Sequence, residues 1–207
     1  LTQGFGKVPL ACNWLGGGMG VVSAHKLGGP RGVGALVLRR GLDVASQLKG
    51  GGQEMGRRAG TENLIGIAGF AAAAEAAARD LADGVWQRVA EIRNILDSAV
   101  SACGFETISV GSSDARLPNT LSLSAPGWKG ETQVMVMDLA GFAVSAGSAC
   151  SSGKVKASRV LKSMGYSEEA AGQAIRISLG PDVQEAQVLR FAEIWGKEYQ
   201  RIRSRAA

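Results

Sequence analysis

The sequence predicts a fold that mixes helix and sheet, of the α/β or α+β kind. Short apolar runs bounded by glycine, proline and small polar residues recur along the chain, as strands do. Between and after them stand longer segments whose composition or apolar spacing is helical. In the C-terminal half the two kinds alternate, the order that builds layered mixed folds. Hydrophobic residues make up 45% of the 207, enough for a real core.

Taken in order, Gly20 to Ala24 (GVVSA) reads as a short buried strand, and Gly28 to Gly34 (GGPRGVG) as a turn-rich loop. Ala35 to Arg39 (ALVLR) reads as a second strand, and Lys49 to Gly60 as a glycine-rich, basic loop. Thr61 stands where its hydroxyl caps the helix that follows by accepting an orphan N–H. That helix is the alanine-rich stretch NLIGIAGFAAAAEAAARDLA. A second helix starts near Val85. Val89, Ile92, Leu96 and Ala99 continue its stripe at spacings of four, three, four and three, and Gly104 ends it. Short strands are expected near Glu106–Val110, Thr120–Ser124, Phe142–Ala146 and Ala174–Ser178, with helices between the last three and after Val183. A boundary near Ala82–Val85 gives domains of 1–84 and 85–207.

Several function classes are set aside by composition. The net charge of +5 comes without a basic stripe interleaved with aromatics. Lys197, Arg201, Arg203 and Arg205 read as the solvated face of a last helix, so no nucleic-acid partner is expected. No apolar run approaches the roughly 18 residues of a membrane span, and no charged segment leads into an apolar one as in a signal peptide. Cys12, Cys103 and Cys150 are odd in number and far apart, which points to a reducing, cytoplasmic setting without disulfides. With one histidine and no cysteine pair at ligand spacing, no metal site is expected. The first residue is Leu rather than Met, so the chain is expected to begin inside a longer protein.

Four segments carry chemistry. Lys26 follows a strand and precedes a glycine-rich loop, which suits an amine held rigidly and partly desolvated as a nucleophile. Ser23 and His25 beside it offer a hydroxyl and an imidazole for a phosphate. The run Gly56–Asn63 (GRRAGTEN) sets arginines before a helix N-terminus, a natural place for an anion. Cys150 lies in the small, polar stretch SAGSACSSG, where a thiol is free to attack an external atom. Only a few per cent of an ordinary thiol is thiolate near neutrality, so Cys150 needs local activation, for which His25 or a cofactor adduct are the candidates. Cys12 and Cys103 read as structural or incidental. Arg176 sits in the apolar strand AIRISLG; a buried arginine needs an anion, and its planar fork matches a carboxylate.

The run SAHKLGGPRGVGAL resembles the cofactor-lysine segment of cysteine desulfurases of the NifS/IscS type, in the class V aminotransferase family. GRRAGTEN, GSACSSG with the following KASRVL, LPNTL and AIRISLG resemble further segments of the same family, in register over essentially the whole chain. The resemblance implies a fold-type-I, aspartate aminotransferase-like α/β enzyme dependent on pyridoxal 5'-phosphate. In its terms Lys26 is the lysine joined to the cofactor, and Ser23 and His25 are ligands on the phosphate side. Gln3 contacts the ring hydroxyl, and Thr61 reaches the phosphate of the other subunit of a homodimer. Arg176 grips the substrate carboxylate, Asn119 offers a substrate-side hydrogen bond, and Cys150 carries the sulfane sulfur. The implied reaction takes L-cysteine to L-alanine and passes sulfur to an iron–sulfur scaffold or another acceptor protein.

The resemblance covers only the second half of the family's length: the end of the large cofactor domain and a complete small C-terminal domain. The family's aspartate for the pyridinium nitrogen falls one position before Leu1. A chain of these 207 residues alone is therefore expected to be inactive or poorly folded. Other readings are a selenocysteine lyase or aminotransferase on the same scaffold, or a non-catalytic binding or sulfur-relay subunit. Cys150 in its small-residue loop argues against a plain aminotransferase.

Overall fold

The computed structural model describes residues 1–10, 18–103, 106–147 and 157–206. The chain divides into two compact units, Leu1–Val85 and Trp86–Ala207.

In the first unit, β1 (Met19–Ser23) and β2 (Gly34–Leu38) pair antiparallel, with Met19 opposite Leu38 and Ser23 opposite Gly34. A 3₁₀ turn, Ala24–Leu27, leaves β1 and ends at Gly28, whose φ of 87° is readily adopted only without a side chain. The buried strand expected at 20–24 is buried on one side only: Val22 and Ala24 are enclosed, while Val21 is 58% exposed. Successive side chains of a strand point to opposite faces, and this two-stranded ribbon is packed on one of them.

Against the 3₁₀ turn packs α1 (Leu64–Ala82), helical because alanine costs the helix almost no side-chain entropy. Its cap is Asn63, whose side chain accepts the Gly66 N–H at 3.1 Å. Thr61 therefore does not cap it, contrary to expectation. The helix starts at Leu64, and the adjacent asparagine, at least as good a cap as threonine, takes the orphan donor. Gly69, Ala73 and Ala77 are four apart and share one face of α1. A Cβ built on Gly69 would lie 2.6 Å from Pro30, one on Gly29 would lie 3.1 Å from the Ala73 methyl, and one on Gly6 would lie 2.6 Å from the Ala77 methyl. Two turns, one at the start of the chain and one after β1, thus approach α1 closely because both sides are small.

The second unit begins with α2 (Val85–Ser101) and holds a sheet of β3 (Ile108–Ser109), β4 (Thr120–Ser124), β5 (Ser145–Ala146) and β6 (Ala174–Ser178). The strand order is β3-β4-β6-β5, antiparallel at every step. Between β4 and β5 runs α3 (Gly130–Leu139); α4 (Arg159–Ser163) and α5 (Glu168–Gly172) precede β6, and α6 (Glu185–Ala206) follows it. Leu121, Leu123, Ile175 and Ile177 alternate inward and are buried. Val89, Ile92 and Leu96 are buried on α2 as their spacing predicts, joined by Trp86, Arg93 and Val100. Gly104, expected to end α2, lies outside the described residues. From α6, Val188, Phe191, Ala192, Trp195 and Tyr199 enter the core. Trp195 stacks on Trp128 at 5.7 Å, and the Tyr199 hydroxyl donates to the Pro126 carbonyl at 2.7 Å.

Gln133 of α3 is fully buried. Its amide donates to the carbonyls of Trp128 at 2.9 Å and Gln173 at 2.8 Å, and its own carbonyl accepts the Trp195 indole N–H at 3.1 Å. A buried amide with both ends bonded costs little and fixes its neighbours. Among the described residues, no helix is long and apolar enough to cross a membrane.

Candidate active site

In the first unit the site is built on the 3₁₀ turn. Ser23 ends β1, and two residues on, within hydrogen-bonding reach, is His25; the Ser23 hydroxyl and His25 Nδ1 are 2.9 Å apart. Lys26 is next, and its side chain is exposed, as are those of His25 and Gln3. The partial desolvation expected of the Lys26 amine is therefore not found within this unit. The turn carries the lysine off the end of a ribbon only two strands wide.

Lys7 is a residue that sequence reading passed over. Its ammonium donates to the carbonyl of Gln3 and to the carbonyl of Lys26, each at 3.4 Å. Burial, and next the charge of Lys26, hold the Lys7 amine below the usual lysine range. A lysine four residues after the glutamine, in LTQGFGK, was the available signal; the approach of Lys26 was not visible.

Thr61 is exposed and ends a loop bonded largely to itself. Arg58 donates to the Gly60 carbonyl at 2.7 Å and the Thr61 carbonyl at 3.3 Å, and the Gln53 side chain accepts the Gly60 N–H at 3.3 Å. Arg57 pairs with Asp43 at 3.1 Å, and that guanidinium holds the Asp43 carboxyl below its usual range. Glu54 and Met55 stand at φ of 52° and 57°, left-handed values that non-glycine residues adopt at a cost.

In the second unit Arg176 is exposed, which corrects the expectation of burial. Its neighbours Ile175 and Ile177 face the core, and strand alternation turns Arg176 to the opposite face. There the register sets Ser122 on one side of it and Ser145 on the other. Among the described residues Arg176 takes part in none of the ion pairs, which engage Asp43, Asp97, Glu168, Glu193 and Glu198. Asn119 precedes β4 and ties it to the end of β6: its side-chain amide donates to the Leu179 carbonyl at 3.3 Å, and its backbone carbonyl accepts the Leu179 N–H at 2.9 Å. Cys150 and Cys12 lie outside the described residues. The Cys103 thiol donates to the Ala99 carbonyl at 3.4 Å, and burial raises its pKa.

The donor set of the first unit fits pyridoxal phosphate. It offers a primary amine for the aldehyde, a hydroxyl and an imidazole for the phosphate, and an exposed glutamine amide for the ring hydroxyl. This mixed fold of helix and sheet is that of the NifS-like fold-type-I enzymes. The chain belongs to the class-V aminotransferase family, whose model, Aminotransferase class-V, matches residues 1–191. It is 39% identical over 187 residues to a cysteine desulfurase of Klebsiella pneumoniae, covering 90% of this chain and 47% of that protein. It is 39% identical to a cysteine desulfurase of Frankia sp. (strain EuIK1) across 99% of this chain and 49% of the relative. The NifS-like protein from Rickettsia africae ESF-5 superposes with a TM-score of 0.84 at 30% identity, over 96% of this chain and 52% of that one. The chain thus spans about half the length of the relatives it matches.

Proposed function

We propose that this chain supplies the cofactor lysine, the substrate arginine and the sulfur-accepting cysteine of a pyridoxal-phosphate-dependent cysteine desulfurase. In this reading residues 1–84 are the end of the large cofactor-binding domain and 85–207 the small C-terminal domain. The observation that carries it is Lys26, a primary amine on an exposed turn beside a hydroxyl–imidazole pair, in a chain 39% identical to cysteine desulfurases.

Lys26 holds the cofactor through its amine, Ser23 and His25 hold the phosphate, and Gln3 meets the ring hydroxyl. Thr61 serves the phosphate of the second subunit in a homodimer. When bound, pyridoxal phosphate supplies an electron sink for carbanion chemistry at the substrate α-carbon. The exposed guanidinium of Arg176 grips the carboxylate of L-cysteine through two parallel N–H donors, and Asn119 adds a hydrogen bond on the substrate side. Lys26 would move a proton at the substrate α-carbon, and His25 would assist as acid and base. The Cys150 thiolate forms a bond to the substrate sulfur while the carbon–sulfur bond breaks. That carbon takes up a proton, the product is L-alanine, and Cys150 keeps the sulfur as a persulfide. An iron–sulfur scaffold or another thiol acceptor in the cytoplasm then takes it.

The test uses the cofactor-loaded holoprotein. Borohydride reduction fixes the cofactor on Lys26, and Lys26→Ala abolishes that label. Cys150→Ser keeps the label yet forms no persulfide, and alanine release from L-cysteine falls by about 100-fold or more. A label on another residue, or undiminished alanine release from Cys150→Ser, overturns the reading.

A further inference from the structure

We infer that Lys7 is a positioning residue, which sets the Gln3 turn in register with the Lys26 turn for two neighbouring atoms of one ligand. The role given to Lys7 rests on the reading of Gln3 and Lys26 as cofactor residues. In pyridoxal phosphate the ring hydroxyl and the aldehyde sit on adjacent ring carbons. The groups that meet them must therefore stand side by side, to within about half an ångström for a productive site. Gln3 and Lys26 are far apart in sequence and lie on different turns, so no local backbone geometry sets their spacing.

One cation bridges them. The Lys7 ammonium donates to the backbone carbonyl of each of these two residues, at 3.4 Å both times. Lys7 also sits on the same turn as Gln3: its N–H donates to Gly4, whose own N–H returns to Leu1. The side chain is half-buried, which strengthens charge-assisted bonds relative to open water. α1 supplies the floor for both turns, Gly6 resting on Ala77 and Gly29 on Ala73. Floor contacts of this kind set how closely each turn approaches the helix, and the Thr2 hydroxyl, donating to the Val21 carbonyl at 2.8 Å, ties the first turn to β1 upstream of the lysine. The ammonium bridge is the link that reaches Gln3 and Lys26 themselves, and so sets the register at the two residues that face the ligand.

The experiment compares wild-type, Lys7→Met and Lys7→Arg holoproteins, with Gln3→Ala and the Gln3→Ala/Lys7→Met double variant. Pyridoxal phosphate affinity is measured by titration, and borohydride-fixed label at Lys26 by mass spectrometry. Lys7→Met is expected to weaken cofactor binding roughly tenfold, the scale of one charge-assisted hydrogen bond, and to lower the label at subsaturating cofactor in proportion. Lys7→Arg, which keeps a cationic donor, restores most of both. Because Lys7 acts through Gln3, Lys7→Met costs clearly less in the Gln3→Ala background than in the wild type. Amide hydrogen exchange rises at residues 3–8 and 24–29 in Lys7→Met while α1 keeps its protection, which separates lost register from lost fold. Equal affinity and label in Lys7→Met, a Lys7→Arg that behaves like Lys7→Met, or full additivity with Gln3→Ala overturns the assignment of Lys7. Absence of label at Lys26 in the wild type instead overturns the cofactor reading.

Discussion

At the scale of the residue, Arg176 separates pattern from placement. The sequence AIRISLG shows an arginine among apolar neighbours, which invites the conclusion that it is buried. Alternation along β6 instead sends Ile175 and Ile177 to the core and Arg176 to the other face, between Ser122 and Ser145. An exposed fork without an internal carboxylate among the described residues suits an external one. Arg176→Ala should therefore raise KM for L-cysteine about 100-fold, the scale of a lost bidentate pair, with a smaller effect on kcat. Arg176→Lys should recover little of this, because an ammonium does not reproduce the planar fork. Steady-state kinetics with cysteamine, which lacks the carboxylate, should show no such dependence. Lys26 and Arg176 stood out as candidates in the sequence because residue type and local motif single them out. Their exposure was not legible, because it depends on how the turn that carries Lys26 and the strand that carries Arg176 are packed. Lys7 was illegible for a related reason: one of its contacts joins turns far apart in sequence, which only the folded unit brings together.

At the scale of the element, α1 shows how a helix start is decided among near-equal candidates. The run Thr61-Glu62-Asn63 offers two capping side chains. Asn63 takes the Gly66 N–H at 3.1 Å, while Thr61 remains exposed in the loop before it. Asn63→Ala should cost about 1 kcal/mol of stability in denaturant unfolding, and Thr61→Ala much less. In the cofactor-loaded protein the order should reverse, Thr61→Ala weakening phosphate-dependent binding more than Asn63→Ala. The helical character of α1 was plain from its alanines. The use of Gly69, Ala73 and Ala77 as a seat for two turns was not, since a small-residue face reads the same whether it meets solvent or a glycine.

At the scale of the whole molecule, the order of strands and helices in the second unit was legible, and β4 and β6 fall on the residues expected. The strand order β3-β4-β6-β5, with β6 inserted between β4 and β5, was not, because pairing is a long-range choice that local pattern leaves open. The unit's core also carries a pH dependence. Burial raises the Cys103 thiol above its usual range. Burial first, then the charge of Glu106, raises the Tyr199 hydroxyl, with Arg203 opposing. A raised acid of this kind binds its proton more tightly when folded, so its contribution to stability is complete below that group's ordinary range and is lost as pH climbs from there through the raised folded value. Denaturant unfolding followed by tryptophan fluorescence should show flat stability near neutrality and a decline on the alkaline side. Cys103→Ala should remove the earlier part of that decline.

The primary amide of Gln133 is where the turn before α3, α3 itself, the residue ahead of β6 and α6 all meet. Hydrolysis of that amide, the slow damage of protein ageing, would exchange one nitrogen for one oxygen and leave the volume almost unchanged. Yet it would point acceptor lone pairs at two carbonyl oxygens only 2.9 and 2.8 Å away, turning mutual attraction into repulsion at the centre of the unit. Loss of that one nitrogen would therefore place a repulsive contact where several elements of this unit converge.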